Sequence, residues 1–164
     1  MNAPPRDSRA RIVELVAMYR STCYDVRLTD GSIATLRVGQ HAPPTLAHWL
    51  GSDGFALYLT ACNPYSIALT AAQNHTRLAR LRERLRALGT RWLEGDASSP
   101  DGGWTEPSLL VSGVPASVCD TLAFAFEQNA SLGVNASGSA RLRIYRNDWR
   151  CALDAATDID WVER

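Results

Sequence analysis

Two apolar runs, Phe55–Ala61 and Ser108–Ser112, constrain this chain more than any other feature. Both are continuously apolar over the length of a strand instead of alternating. Such runs belong at the centre of a sheet that is covered on both faces. Between them a helix is predicted from about Thr70 to Leu88, because Leu78, Leu81, Leu85 and Leu88 recur at spacings of three and four and Gly89 closes the pattern. Arg91–Gly95 reads as a weak strand and Asp96–Glu106 as a polar loop. Beyond the second run, Pro115 opens a helix reaching about Gln128, with Val118, Leu122, Ala125 and Phe126 on its buried face. Ser131–Asn135 and Arg141–Tyr145 are short strands.

From Phe55 to Asn135 the order is therefore β-α-β-β-α-β. This predicts an α+β fold, a ferredoxin-like split βαββαβ sandwich in which the two apolar runs are the central strands. The two helices cover one face. Upstream, Ser8 or Asp7 caps a helix running to about Arg20. A hairpin, Cys23–Thr29 and Ser32–Val38, follows around Asp30-Gly31, a dipeptide suited to a type I′ turn. This added N-terminal helix and β-hairpin either cover the second face or extend an edge. Residues 8–150 read as a single domain, 1–7 as an N-terminal tail and 151–164 as a C-terminal tail in which Trp161 and Val162 suggest docking.

Composition excludes several classes of function. All seventeen basic residues are arginine, so no lysine is present for a Schiff base or a Walker-type phosphate loop. Net charge is zero, which gives no global field toward nucleic acid or an anionic membrane. No apolar leader or membrane span is evident, and Cys23, Cys62, Cys119 and Cys151 lie far apart, so a cytoplasmic protein with reduced thiols is expected. His41, His48 and His75 lack ligand spacing; neither metal nor cofactor is expected. Ser66, Ser108 and Ser112 lack a nucleophile-elbow context. Cys62 near His75 could serve as a nucleophile, but its apolar strand argues for an inert thiol.

The topology makes a claim about place. If the first strand runs upward, it ends at Asn63, the strand-to-strand connection also lies at the top, and the second helix climbs back to Gln128-Asn129. Asn63, Asn74, Asp101, Trp104, Glu106, Ser108 and Asn129, with Gln128 beside it, then converge on one pole. Amides and hydroxyls dominate that pole and fix ligands by hydrogen bonds. Arg77, with the helix start near it, is the expected anchor for an anion. Glu106 is the best candidate for a general base, with His75 second. Ordinary turns at Asn63 and at Asp101-Gly102-Gly103 are the bland alternative. A further alternative rests on Arg77, Arg80, Arg82, Arg84, Arg86 and Arg91, a basic stretch over 77–91 that could meet RNA or a protein partner; a solvated face is the simpler reading.

The segments Leu59-Thr60-Ala61-Cys62-Asn63-Pro64-Tyr65-Ser66, Asn74, Pro100–Val111 and Phe126-Glu127-Gln128-Asn129-Ala130 resemble a bacterial family catalogued as domain of unknown function 3293. The resemblance covers roughly residues 10–135 and implies a small soluble bacterial protein, with no activity attached. It places Asn63, Pro64, Asn74, Gly102, Trp104, Glu106, Ser108, Gln128 and Ala130 on the family's pattern. One departure stands out: Glu127 occupies a position where the pattern expects glycine, and a charged side chain there is expected to crowd the pole. The leading expectation is the binding of a small polar or anionic ligand at this pole, with an enzyme and an interaction module as alternatives.

Overall fold

The computed structural model describes residues 4–51, 54–153 and 158–164. Residues 1–3 and 154–157, within the expected tails, lie outside the described residues. The helices are α1 (Arg9–Ser21), α2 (Pro44–Leu50), α3 (Ala71–Ala87) and α4 (Ala116–Ala125). The strands are β1 (Cys23–Arg27), β2 (Ile33–Leu36), β3 (Phe55–Leu59), β4 (Arg91–Ser98), β5 (Thr105–Ser112), β6 (Ala130–Asn135), β7 (Ala140–Ile144) and β8 (Ile159–Trp161). They form one mixed sheet in the order β2-β1-β4-β5-β3-β6-β7-β8, with all neighbours antiparallel except β7 and β8. The fold is α+β. The two apolar runs, as β3 and β5, pair with each other in the middle of the sheet. No described helix is long and apolar enough to cross a membrane.

Both faces are covered. Leu57 and Leu59 of β3 and Leu109 and Val111 of β5 pack against Leu78, Leu81 and Leu85 of α3 and Cys119 and Leu122 of α4. On the opposite face Tyr24, Ala56, Tyr58, Leu110 and Leu132 meet Leu46 and Leu50 of α2. Beside them Ile12, Leu15 and Val16 of α1 pack on Leu142, Ile144 and the fully buried Trp149. The N-terminal hairpin thus extends the sheet edge beside β4, and α1 and α2 supply the second cover. The C-terminal stretch docks as β8, parallel to β7. At the other terminus Asp7 pairs with Arg146 at 3.0 Å.

Local chemistry explains the boundaries. Thr70 caps α3, its hydroxyl accepting from the Gln73 amide while Gln73 Oε1 accepts from the Thr70 amide, a reciprocal capping box. Three expectations need correction. The loop Asp96–Glu106 is strand at both ends: Asp96, Ala97 and Ser98 pair with Pro107, Glu106 and Thr105, leaving 99–104 as the connection. The turn at Asp30-Gly31 is not type I′, since only Gly31 has positive φ (85°). Gly31 N–H donates to the Leu28 carbonyl, and Asp30 Oδ1 accepts from Ser32, so an aspartate-stabilised turn closes the hairpin. The buried face of α4 is Cys119, Leu122, Ala123 and Phe126, with Val118 half-buried, because the helix rotates to bring Asp120 against Arg143 at 2.7 Å.

Gly95 in β4 shows how tightly the second face closes. A Cβ there would overlap the Asp25 carbonyl and lie 2.8 Å from the Tyr58 hydroxyl, which itself donates to Asp25 O at 2.8 Å. Gly95→Ala must break that bond or part β1 from β4, and is expected to cost about 1–3 kcal/mol in urea unfolding. An unchanged midpoint would contradict this packing.

Candidate functional site

The left-handed turn after β3 organises the pole. Asn63, Tyr65 and Ser66 have φ of 43°, 52° and 59°. Asparagine tolerates this region through its short polar side chain; tyrosine and serine do so at a cost. The turn persists because each of its groups is held. Tyr65 N–H donates to the Glu127 carbonyl at 2.7 Å. The Asn63 amide group is the hub. Its backbone N–H donates to Asn74 Oδ1 at 3.0 Å, its Oδ1 accepts from Asn74 Nδ2 and from the Leu69 amide, both at 2.9 Å, and its Nδ2 donates to Glu106 Oε2 at 2.6 Å. One side chain thus ties the end of β3 to α3, to the approach to α3, and to β5.

Around this hub lies a cavity of about 240 Å³ between α1 and the sheet. Asn63, Trp104, Glu106, Ser108 and Gln128 line it, as the topology predicts. Gln128 is buried and its Nε2 donates to the Cys62 and Phe126 carbonyls at 3.0 and 3.1 Å. Asn74 acts behind the lining, through Asn63. The other predicted residues fall elsewhere. Asp101 is exposed in the 99–104 connection, where its Oδ1 accepts from the Gly103 amide, because extension of β4 and β5 carries the turn away from the cavity. Arg77 is outside the cavity lining: its Nε donates to Ala61 O at 2.6 Å and its Nη2 to Phe126 O at 2.7 Å, so the guanidinium staples strand end to helix end. His75 is exposed and outside the cavity lining. Cys62 is buried, and burial pushes its thiol up from the ordinary value, away from nucleophile chemistry.

Glu127 does not crowd the cavity. It follows α4 with φ of 60°, the left-handed position where glycine is favoured after a helix, and its carboxylate reaches Arg77 at 3.4 Å. A glycine, expected here from the resemblance, would suit this backbone conformation. Of the arginine stretch, Arg82 pairs with Glu94 at 2.7 Å, while Arg84, Arg86 and Arg91 lie over Phe126, Trp92 and Trp49.

The far wall includes three tyrosines that sequence reasoning missed. Tyr19 of α1, Tyr24 of β1 and Tyr58 of β3 line the cavity with Ser66 and Asn129. Tyr19 and Ser66 share a hydroxyl–hydroxyl bond of 2.7 Å, and Asn129 Nδ2 donates to Ser66 at 3.1 Å. Asn129 Oδ1 in turn accepts from the buried Arg146 at 3.1 Å. Burial raises all three tyrosine hydroxyls above their ordinary value, so they are neutral near pH 7. The signal for them was present only as tyrosines on an amphipathic helix and on strands, a pattern that core packing also produces.

These features define a mixed α+β domain with a tyrosine-walled cavity, set with polar side chains, at one end of its sheet. Residues 59–130 match the model of the family described as "Protein of unknown function (DUF3293)", in agreement with the resemblance read from the sequence. No curated protein and no solved structure matches the chain. The matched stretch holds Asn63, Glu106 and Gln128, whereas Tyr19, Tyr24 and Tyr58 lie before it.

Burial holds the Glu106 carboxyl above its ordinary value of 4.5, against the hydrogen bond from Asn63, which lowers it. Below the ordinary value the acid is protonated in both folded and unfolded chains and costs nothing. As pH rises through that value toward the raised folded one, stability is lost; above it the loss is constant. Glu106→Gln keeps an acceptor for Asn63 and removes the charge. Its stability relative to wild type is expected to rise between about pH 4 and about pH 7 in urea unfolding. A difference that falls over this range would contradict a raised pKa.

Proposed function

We propose that this chain binds a small polar ligand in the cavity between α1 and the sheet, with Asn63 and Gln128 as hydrogen-bonding clamps, Trp104 as an apolar wall and Glu106 as the ionisable group. The observation that carries this reading is the strained Asn63–Ser66 turn, held by bonds from four separate segments at the rim of a cavity lined with polar side chains. Strain of this kind persists only where the surrounding structure over-determines it, and it clusters at ligand sites. The proposed unit for residues 55–135 is a ferredoxin-like core, which the strand order β6-β3-β5-β4 supports. A cytoplasmic setting fits four unbridged cysteines.

A second reading, catalysis with Glu106 as general acid or base, is favoured by one observation: this carboxyl lines the cavity, and burial raises it above its ordinary value, the direction that proton transfer calls for. Both readings use the same cavity.

A thermal-shift screen with neutral, cationic and anionic metabolites tests the proposal. Any stabilising compound is expected to lose its effect in Trp104→Ala and in Asn63→Ala, each shown to be folded by circular dichroism. Compounds that stabilise both variants as well as wild type would overturn the assignment to this cavity.

A further inference from the structure

The cavity has a hydrogen-bonding polarity as well as a shape. Most of its donors are already spent on the protein. Tyr24 OH donates to Tyr19 O and Tyr58 OH to Asp25 O, both at 2.8 Å. Thr60 Oγ1 donates to Pro107 O at 2.9 Å and Ser108 Oγ to Glu106 O at 3.1 Å. Gln128 Nε2 serves two backbone carbonyls, so what that amide offers a ligand is its Oε1. Asn63 Nδ2 is given to Glu106. A phenol or hydroxyl that has donated its proton still has lone pairs to offer. The lining is therefore biased toward accepting.

Its charge is biased the same way. Among the described lining residues Glu106 is the one carboxylate, and none is arginine, lysine or histidine. The arginine nearest in the network, Arg146, stands behind Asn129 and is engaged by Asp7 and Asp148 at 3.0 and 2.7 Å. Tyrosine and tryptophan rings make up much of the apolar wall, and their faces attract cations. An anion entering here meets a like charge and spent donors. A group carrying several N–H donors and a positive charge meets open acceptors, aromatic side chains and a carboxylate that burial has left short of solvation.

We infer that the cavity takes an aliphatic ammonium, a small cationic and donor-rich head group seated against Glu106. This deepens the ligand-binding reading and rests on it. The preference toward a cation replaces the anionic ligand that Arg77 suggested in the sequence.

Three probes of matched length separate the two claims: n-butylammonium, 1-butanol and butyrate, titrated into the full chain at about pH 7.5. Binding is followed by NMR at the Trp104 indole N–H and the Gln128 side-chain amide. Butylammonium is expected to bind at least about tenfold more tightly than 1-butanol, with butyrate weakest. Glu106→Gln is expected to bring butylammonium and 1-butanol within about twofold of each other, and the charge-preserving Glu106→Asp to restore part of the preference. If 1-butanol binds wild type as tightly as butylammonium, or the ammonium preference survives in Glu106→Gln, this inference falls and the cavity reading stands. If none of the three moves the two reporter signals, both fall.

Discussion

The Asn63 side chain is the interaction on which the pole depends. Its amide closes a reciprocal pair with Asn74, receives the Leu69 amide and donates to Glu106. Each of these partners belongs to a different stretch of chain. The left-handed backbone at Asn63 aims the amide between them, and asparagine is among the few residues other than glycine that reach this conformation at little cost. The two further left-handed residues, Tyr65 and Ser66, are held in turn by Glu127 and by the Tyr19–Asn129 pair. The turn is thus fixed from both covers of the sheet.

Fixing this turn decides the chemistry next to it. Asn63 holds one oxygen of Glu106, and burial leaves that carboxyl raised in pKa. The Tyr24 and Tyr58 hydroxyls donate to backbone carbonyls, which orients them, and burial keeps them neutral. Arginine has the opposite role. Arg77 closes two open carbonyls at helix and strand ends, and Arg146 supports Asn129 from behind. The positive charges thus build the frame, and the negative one lines the cavity.

Much of this was legible from sequence. The apolar continuity of β3 and β5 gave their central place, and the leucine spacing gave α3. Convergence of Asn63, Trp104, Glu106, Ser108 and Gln128 followed from strand direction alone. What sequence could not convey was how each polar side chain would be used. Arg77 has the same spacing whether it holds a ligand or two carbonyls. Asp101 looked like part of a long loop because Asp96–Ser98 alternate in burial with small and polar residues, a weak strand signal that pairing with β5 makes real. Tyr19, Tyr24 and Tyr58 were invisible as a group, since only the sheet brings α1, β1 and β3 to one wall. At Glu127 an expected glycine was taken to mean lack of room, whereas the residue has the left-handed φ that glycine suits and its side chain turns to Arg77.

Amide hydrogen exchange on Asn63→Ala tests the central claim most directly. With the hub removed, the Leu69 and Tyr65 amides are expected to lose at least about tenfold in protection, while Leu110 in the middle of β5 stays within about twofold of wild type. Leu69 and Tyr65 amides that exchange as slowly in the variant as in wild type would show that the pole holds together without Asn63.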